Sequence, residues 1–266
     1  MAATRFEYVR NFEQPTTLLR NTWIVVRLDG HGFHRFSKEH QFAKPNDVRA
    51  LHLMNASAAA VMREFDDIAL AYGQSDEFSF VFRPSTMVYS RREAKIITNL
   101  CSLFTATFVM QWPQFFGSQP LSYAPSFDAR AVCYPTIANL RDYMSWRQAD
   151  CHINNLYNTA FWALVLDSKD PKTEQQAEAI LRVTDSAAKN EILFTQFGIN
   201  YNNIDPMFRK GSTLFWRKQD VEEVSAKTGQ PVVRKRNVLA TEYVDVIGES
   251  FWKENPHLLS RGKQRE

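Results

Sequence analysis

Apolar and polar positions alternate along the chain with two different periods. Trp23, Ile24, Val25, Val26 and Leu28 form an apolar run that breaks at Asp29-Gly30, which predicts a buried strand over 23–28 ending in a turn. Val48, Leu51, Met54, Ala58, Val61 and Phe65 then recur every three to four residues, the spacing of an amphipathic helix. Ahead of it, Phe42-Ala43-Lys44-Pro45-Asn46-Asp47 reads as a loop with Asn46 as N-cap and Asp47 near the positive helix end. Residues 68–72 and 77–82 read as two short strands around the polar turn Gly73-Gln74-Ser75-Asp76, a β-hairpin. A second long helix is predicted from Arg91 to Trp112, stopped by Pro113, and a fourth strand from Asp128 to Tyr134 between Pro125 and Pro135.

This β-α-β-β-α-β order is the ferredoxin-like arrangement: two helices cover one face of a four-stranded antiparallel sheet and leave the other face for a ligand or a further layer. From Ile137 the pattern becomes mainly helical, over 137–166, 173–188 and 189–197, with a short strand from Ser212 to Trp216. Residues 219–237, polar and basic around Gly229-Gln230-Pro231, suggest an exposed loop or hairpin arm, and Tyr243–Trp252 a return to the core. Ser260–Glu266 reads as a tail without order. The fold class expected is α+β: a sheet domain over 1–136, and a helical part over 137–266 packed on it, with an arm around 219–240.

Composition narrows the picture modestly. The chain has 266 residues, enough for one large core or two modest domains, and its 20 Phe predict a strongly aromatic interior. No apolar run approaches the ~18–20 residues of a membrane helix. Met1–Glu7 shows no apolar signal core, and Glu7 and Glu13 argue against an acid-poor transit peptide. A cytosolic protein is expected, with nuclear or mitochondrial pools left open. Cys101, Cys133 and Cys151 form no CxxC pair and read as buried thiols. The net charge of +3 is too small to demand a polyanionic partner, although Arg91, Arg92 and Lys95, and again Arg234, Lys235 and Arg236, cluster locally. Such clusters are either solvated surface or phosphate contacts.

The candidate chemistry is an acidic pair. Asp29 ends the first strand, and Asp76 sits at the hairpin turn. In this fold strands one and three are central neighbours, so the two carboxylates converge at one sheet end. Two divalent cations ~3.5–4 Å apart need such a set of hard oxygen ligands. Gly30, without a side chain, lets its carbonyl approach a metal or phosphate. The competing reading is that both acids are turn residues only. Glu77 follows Asp76 directly and should point to the opposite face, so it assists from behind or caps the turn.

After the first acid comes His31-Gly32-Phe33-His34-Arg35-Phe36. A loop is expected here, with Gly30 and Gly32 turning N–H groups toward phosphate, Phe33 stacking on a base and His34 bonding phosphate or base. The alternative is a plain connection with Phe33 and Phe36 buried. Further on, Cys151–Thr159 places Ile153, Leu156, Tyr157, Ala160 and Leu164 on one helical face and His152, Asn155 and Thr159 on another, with Asn154 and Asn158 beside it. Asn competes for backbone hydrogen bonds inside helices, so three in five residues need a reason. They tie the helical part to the sheet, or they contact RNA phosphates or base edges.

These segments carry a family resemblance. Leu28–His34, Gly73–Glu77 and above all Trp146–Thr159 resemble the tRNA-His guanylyltransferases of eukaryotic type. Phe42–Asp47, Lys189–Phe194 and Met207–Gly211 add to the likeness, which runs from about Phe6 to Trp252 and is weakest over 219–240. The resemblance implies a polymerase-palm fold and nucleotide addition in the 3′ to 5′ direction. ATP adenylylates the tRNA 5′-monophosphate, the GTP 3′-hydroxyl attacks that end, AMP leaves and pyrophosphate is removed. It also implies a homotetramer, a dimer of dimers, spanned by tRNA-His whose GUG anticodon is recognised. Carried onto this chain, Asp29, the Gly30 carbonyl and Asp76 would hold two Mg²⁺, with Asp29 and Asp76 catalytic. Asp29, Gly30, His31, Gly32, Phe33, His34 and Ser75 would contact the nucleotide. Lys44, Asn46, Arg92 and Lys95 would meet phosphates of nucleotide or tRNA, and His152, Asn155 and Lys189 the RNA end.

Two other classes fit part of the pattern. Phe78-Ser79-Phe80-Val81-Phe82 resembles the base-stacking strand of an RRM, which has the same strand order. Asp76 and Glu77 would repel phosphate there unless a cation intervened. A nucleotide cyclase or other palm-fold phosphotransferase would explain the acids but not the Asn-rich helix.

Overall fold

The computed structural model describes residues 4–224 and 229–262. The predicted hydrophobic strand forms as β1 (Trp23–Gly30), followed by α1 (Phe33–Glu39) and α2 (Val48–Glu64). The hairpin is β2 (Ile68–Gln74) and β3 (Glu77–Phe82), then α3 (Glu93–Phe116) and β4 (Phe127–Tyr134). Next come α4 (Ile137–Val165), α5 (Glu174–Arg182), α6 (Ser186–Phe197), α7 (Pro206–Lys210), β5 (Ser212–Val224), β6 (Pro231–Glu242) and α8 (Ser250–Glu254). All strand pairs are antiparallel, in the order β4-β1-β3-β2-β5-β6. The fold is α+β, as the pattern predicted, and palm-like, as the resemblance implied, with two strands added at one edge.

Alternation along the strands decides what each face buries. Ile24, Val26 and Leu28 of β1 and Phe78, Phe80 and Phe82 of β3 point into one core with α2 and α3, closed by Phe104, Phe108 and Trp112. The opposite residues, Trp23, Val25 and Val81, pack under Leu140, Tyr143 and Met144 of α4 and under Phe251 and Trp252 of α8. The second face is therefore covered along much of its length, and what it leaves open lies at the Asp29 end. Tyr143 also ties the layers by a 2.6 Å hydrogen bond between its hydroxyl and Ser79 Oγ.

Several local expectations change. Residues 33–39 are helical, not a loop, because Phe33 and Phe36 fall on one face and stack at 4.8 Å. Asp47 caps α2, accepting from Arg49 N at 2.9 Å, while Asn46 turns away to Asn155. The helix predicted to stop before Pro113 runs on to Phe116, whose ring stacks on Trp112 at 3.8 Å, so aromatic packing compensates for the hydrogen bond proline removes. The break predicted between 188 and 189 falls earlier, where Asp185 caps α6 through Ala188 N at 2.8 Å. Ile153, assigned to the apolar face of α4, is 56% exposed.

The arm is the continuation of a sheet strand. β5 pairs with β2 only from Ser212 to Phe215, and beyond that β5 and β6 pair with each other out to Val224↔Pro231. Residues 225–228 of the expected arm lie outside the described residues, as do 263–266 of the expected tail and 1–3 at the other end. The described part of that tail is bonded rather than loose: Arg83 Nη1 donates to Ser260 O at 3.0 Å, and Ser85 N to Arg261 O at 3.1 Å.

Arg91 is also not a surface residue. It is 1% exposed, sits at φ 59°, and its guanidinium donates to the carbonyls of Leu18, Leu19, Thr22, Pro84 and Thr86. It pins the segment before β1 to the segment after β3.

Candidate functional site

The antiparallel register brings the two acids together. Asp29 lies opposite Glu77 across β1 and β3, one residue from Asp76, and the Gly30 N–H donates to the Asp76 carbonyl at 3.1 Å. Both side chains line one cleft of ≈ 730 Å³ between α1, the 42–47 segment, the hairpin turn and α4. Burial pushes the Asp76 carboxyl up, and the Asp29 charge pushes the same way, against hydrogen bonds from Ser75 and its own backbone. Ser75 holds the turn at φ 49°.

Glu77 does a different job from Asp76. It faces α4, where Arg147 Nη1 donates to its two carboxylate oxygens at 2.9 and 3.1 Å, and Arg27 Nε stands 3.7 Å away. Burial pushes Glu77 up, and the two guanidiniums oppose that. Arg147 and Glu77 side chains are only 6% and 12% exposed. Removing one partner of such a pair strands the other charge, so Arg147→Met is expected to cost about 3–5 kcal/mol. Thermal melting should fall by more than about 6 °C, and the Glu77→Gln/Arg147→Met double variant should recover most of it. Additive losses would show that the pair is not coupled.

The cleft is acidic. Its described lining includes the carboxylates Asp29, Asp47, Asp76, Glu77, Asp150 and Glu178, against Lys44 as the sole lysine or arginine. Arg49 pairs Asp47 at 2.6 Å and Arg147 pairs Glu77, whereas Asp29 and Asp76 have no ion-pair partner among the described residues. Those residues contain no group of three or more His, Cys, Asp or Glu side chains arranged around one point. Two carboxylates without an ion-pair partner among the described residues suit Mg²⁺, which is typically held by one or two carboxylates, with substrate phosphates and water completing the octahedron.

The other predicted residues divide. Lys44, Asn46, His34 and Ser75 line the cleft. Lys44 Nζ lies 5.2 Å from the Trp162 ring centroid, and burial lowers its pKa while Glu174 opposes. Gly30 is not part of the cleft lining, and a Cβ there would meet the Phe33 ring at 2.3 Å. Phe33 itself is 9% exposed and packs with Phe36, Phe108 and Phe127, so it is a core ring reaching the rim, not a free stacking platform. Gly32 is the left-handed residue before α1, at φ 66°. His31 is exposed, is not part of the cleft lining, and gives its N–H to Ser126 O.

Arg92 and Lys95 are not brought to the acids. They border a separate groove with Glu13 and Thr16, and β3 runs away from the acidic turn before α3 begins. Asn155, predicted at the RNA end, is 5% exposed and committed internally: it accepts from Asn46 Nδ2 and donates to Tyr201 Oη, both at 2.9 Å. Its amide thereby joins α4 to the 42–47 segment and to Tyr201. His152 is exposed on the outer side of α4 beside Tyr201, with its pKa lowered by burial and by Arg209. Lys189 donates to Thr184 O at 2.7 Å, and its Nζ lies 5.9 Å from the Tyr157 ring centroid. Sequence reasoning passed over Asp150, which accepts from Gln74 Nε2 and Asn154 Nδ2 at 3.1 Å each and lines the cleft.

Comparison with known proteins bears on the whole chain. A family model described as tRNAHis guanylyltransferase matches residues 6–135, and one described as the Thg1 C terminal domain matches residues 138–248. The probable tRNA(His) guanylyltransferase of Dictyostelium discoideum is 52% identical over 260 residues, covering 98% of this chain and 99% of that one. The crystal structure of the Saccharomyces cerevisiae tRNA(His) guanylyltransferase superposes with a TM-score of 0.75 at 44% identity, over 89% of this chain and 96% of that one. A bacterial Thg1-like protein solved with ATP has the same fold, with a TM-score of 0.72 at 18% identity over 97% of this chain and 98% of that one.

Proposed function

The chain belongs to the tRNAHis guanylyltransferase family, and from that premise we propose that it adds one guanosine nucleotide to the 5′ end of tRNA-His. The observation that carries the site assignment is the Asp29–Asp76 pair, without ion-pair partners among the described residues, lining an acidic cleft that also holds Lys44.

In this reading ATP adenylylates the RNA 5′-monophosphate and pyrophosphate leaves. The 3′-hydroxyl of GTP then attacks the phosphorus of that activated end, a P–O bond forms, and AMP departs. Removal of pyrophosphate from the added guanosine completes the product. Each step is a phosphoryl transfer, in which positioning and charge neutralisation supply most of the catalysis. Asp29, the Gly30 carbonyl and Asp76 would hold two Mg²⁺, which supply charge neutralisation on the phosphates and activation of the attacking oxygen. Without cations, a triphosphate would meet a cleft of its own sign. Lys44 reaches the phosphates from the far wall, and His34 and Asn46 contact the nucleotide beside it. Glu77 stays paired with Arg147 and fixes α4 against the turn. His152 and Lys189, on the outer side of α4 and on α6, meet the RNA. The family's tetramer, spanned by a tRNA read at its GUG anticodon, and a cytosolic setting belong to the same reading.

The RRM alternative loses its main support, because Phe78, Phe80 and Phe82 are at most 1% exposed and face the helices. A palm-fold cyclase is separated by assay. Incubation with ATP, labelled GTP, Mg²⁺ and 5′-monophosphorylated tRNA-His should lengthen the RNA by one nucleotide, and chelation should stop it. Metal-dependent nucleotide turnover with no RNA product would replace this reading by the cyclase or phosphotransferase one.

A further inference from the structure

One buried polar group in the cleft has no hydrogen-bond partner among the described residues. Asp47, the N-cap of α2, and Leu51 and Asn55 within it recur every fourth residue and all line the cleft, so one stripe of this helix and its cap form part of its wall. Asn55 lies two turns beyond Asp47, about 12 Å along the axis. It is 8% exposed, and its Nδ2 is buried with no hydrogen-bond partner among the described residues. Its neighbours in burial differ. Ser57 donates to Leu53 O at 2.9 Å, Asp47 is held by Ala43 N and Arg49, and Asn155 is satisfied at both ends. An unpaired buried donor weighs against the folded state, a cost that a bound acceptor would remove.

The surroundings say what kind of acceptor fits. Ala50, Leu51 and Met54 line the same stretch, and the cleft's lysine, Lys44, precedes the helix altogether. A phosphate oxygen would enter this stretch without a counter-charge. A neutral ring acceptor between apolar walls matches it, and an asparagine amide facing the edge of a purine is a common pairing. We propose that Asn55 donates a hydrogen bond through Nδ2 to N7 of the purine base of the nucleotide bound in this cleft, making Asn55 a base-positioning residue. The inference rests on the nucleotide-binding reading above. N7 is common to ATP and GTP, and the test tells the two sources apart.

Equilibrium binding to the native protein in Mg²⁺ would be measured for ATP, GTP and their 7-deaza analogues, in which carbon replaces N7. The analogue of whichever nucleotide occupies this position should bind about tenfold more weakly than its parent. Asn55→Leu, close to isosteric, should weaken the parent by a similar factor and bind parent and analogue equally. Its melting temperature reports whether the fold is kept, and the comparison on the native protein decides the matter even if it is not. A loss confined to one base identifies that nucleotide and supports the proposal. Equal binding of both analogues and their parents overturns it while leaving the nucleotide site standing, and failure of ATP and GTP themselves to bind overturns both.

Discussion

Asp29→Asn and Asp76→Asn should each lower nucleotide transfer to tRNA by at least about a thousandfold, because each removes a hard anionic ligand from a site that works by neutralising phosphate charge. The fold should not suffer. Burial and the Asp29 charge raise the Asp76 carboxyl above its ordinary value, so the ionised form weighs against the folded state at neutral pH. An amide of the same shape carries no such charge, and metal-free Asp76→Asn should melt at the native temperature or about 2–4 °C above it. Mg²⁺ should raise the melting temperature of the native protein and not that of either variant. Transfer within tenfold of native in one variant would remove that carboxylate from the site.

The largest loss of stability should come from a residue far from the chemistry. Arg91→Met deletes a guanidinium that satisfies the buried carbonyls of Leu18, Thr22, Pro84 and Thr86 and the half-buried one of Leu19. Methionine fills much of the volume and donates nothing, so several acceptors lose their partners at about 1–3 kcal/mol each. A loss above about 4 kcal/mol is expected, enough to leave a marginal domain largely unfolded near 37 °C. A melting temperature within a few degrees of native would mean that those carbonyls reach water or other donors. Arg92→Met, one residue on, serves as the control, since Arg92 is exposed and should be neutral in stability.

Arg91 also shows where sequence reasoning stops. Beside Arg92 and Lys95 it reads as one member of a basic patch, and only the left-handed turn at residues 89–91 swings it inward. The sheet was legible because its signals are local: apolar runs broken at Asp29-Gly30 and Ser75-Asp76, and helical spacing from Val48 to Phe65. The acid pair followed from strand order, since β1 and β3 must be neighbours in this topology. Partners set by distant packing were not legible. Arg147 meets Glu77 across 70 residues, and Asn155 meets Asn46 across 109. No periodicity reports such contacts, so an Asn-rich helix face could be read equally as a tie or as an RNA contact. Asn55 escaped for a related reason: within an apolar stripe, one amide looks like a tolerated exception until its lack of a partner is seen.

Helix α4 links three regions in series. Leu140, Tyr143 and Met144 anchor it on the sheet, Arg147 and Asp150 face the acids, and Leu156, Ala160 and Leu164 seat α5 and α6. Each added residue turns everything downstream by about 100° and advances it by about 1.5 Å. The span from Tyr143 to Leu164 is therefore quantised. A single insertion there would keep both ends helical yet aim the wrong side chains at the turn.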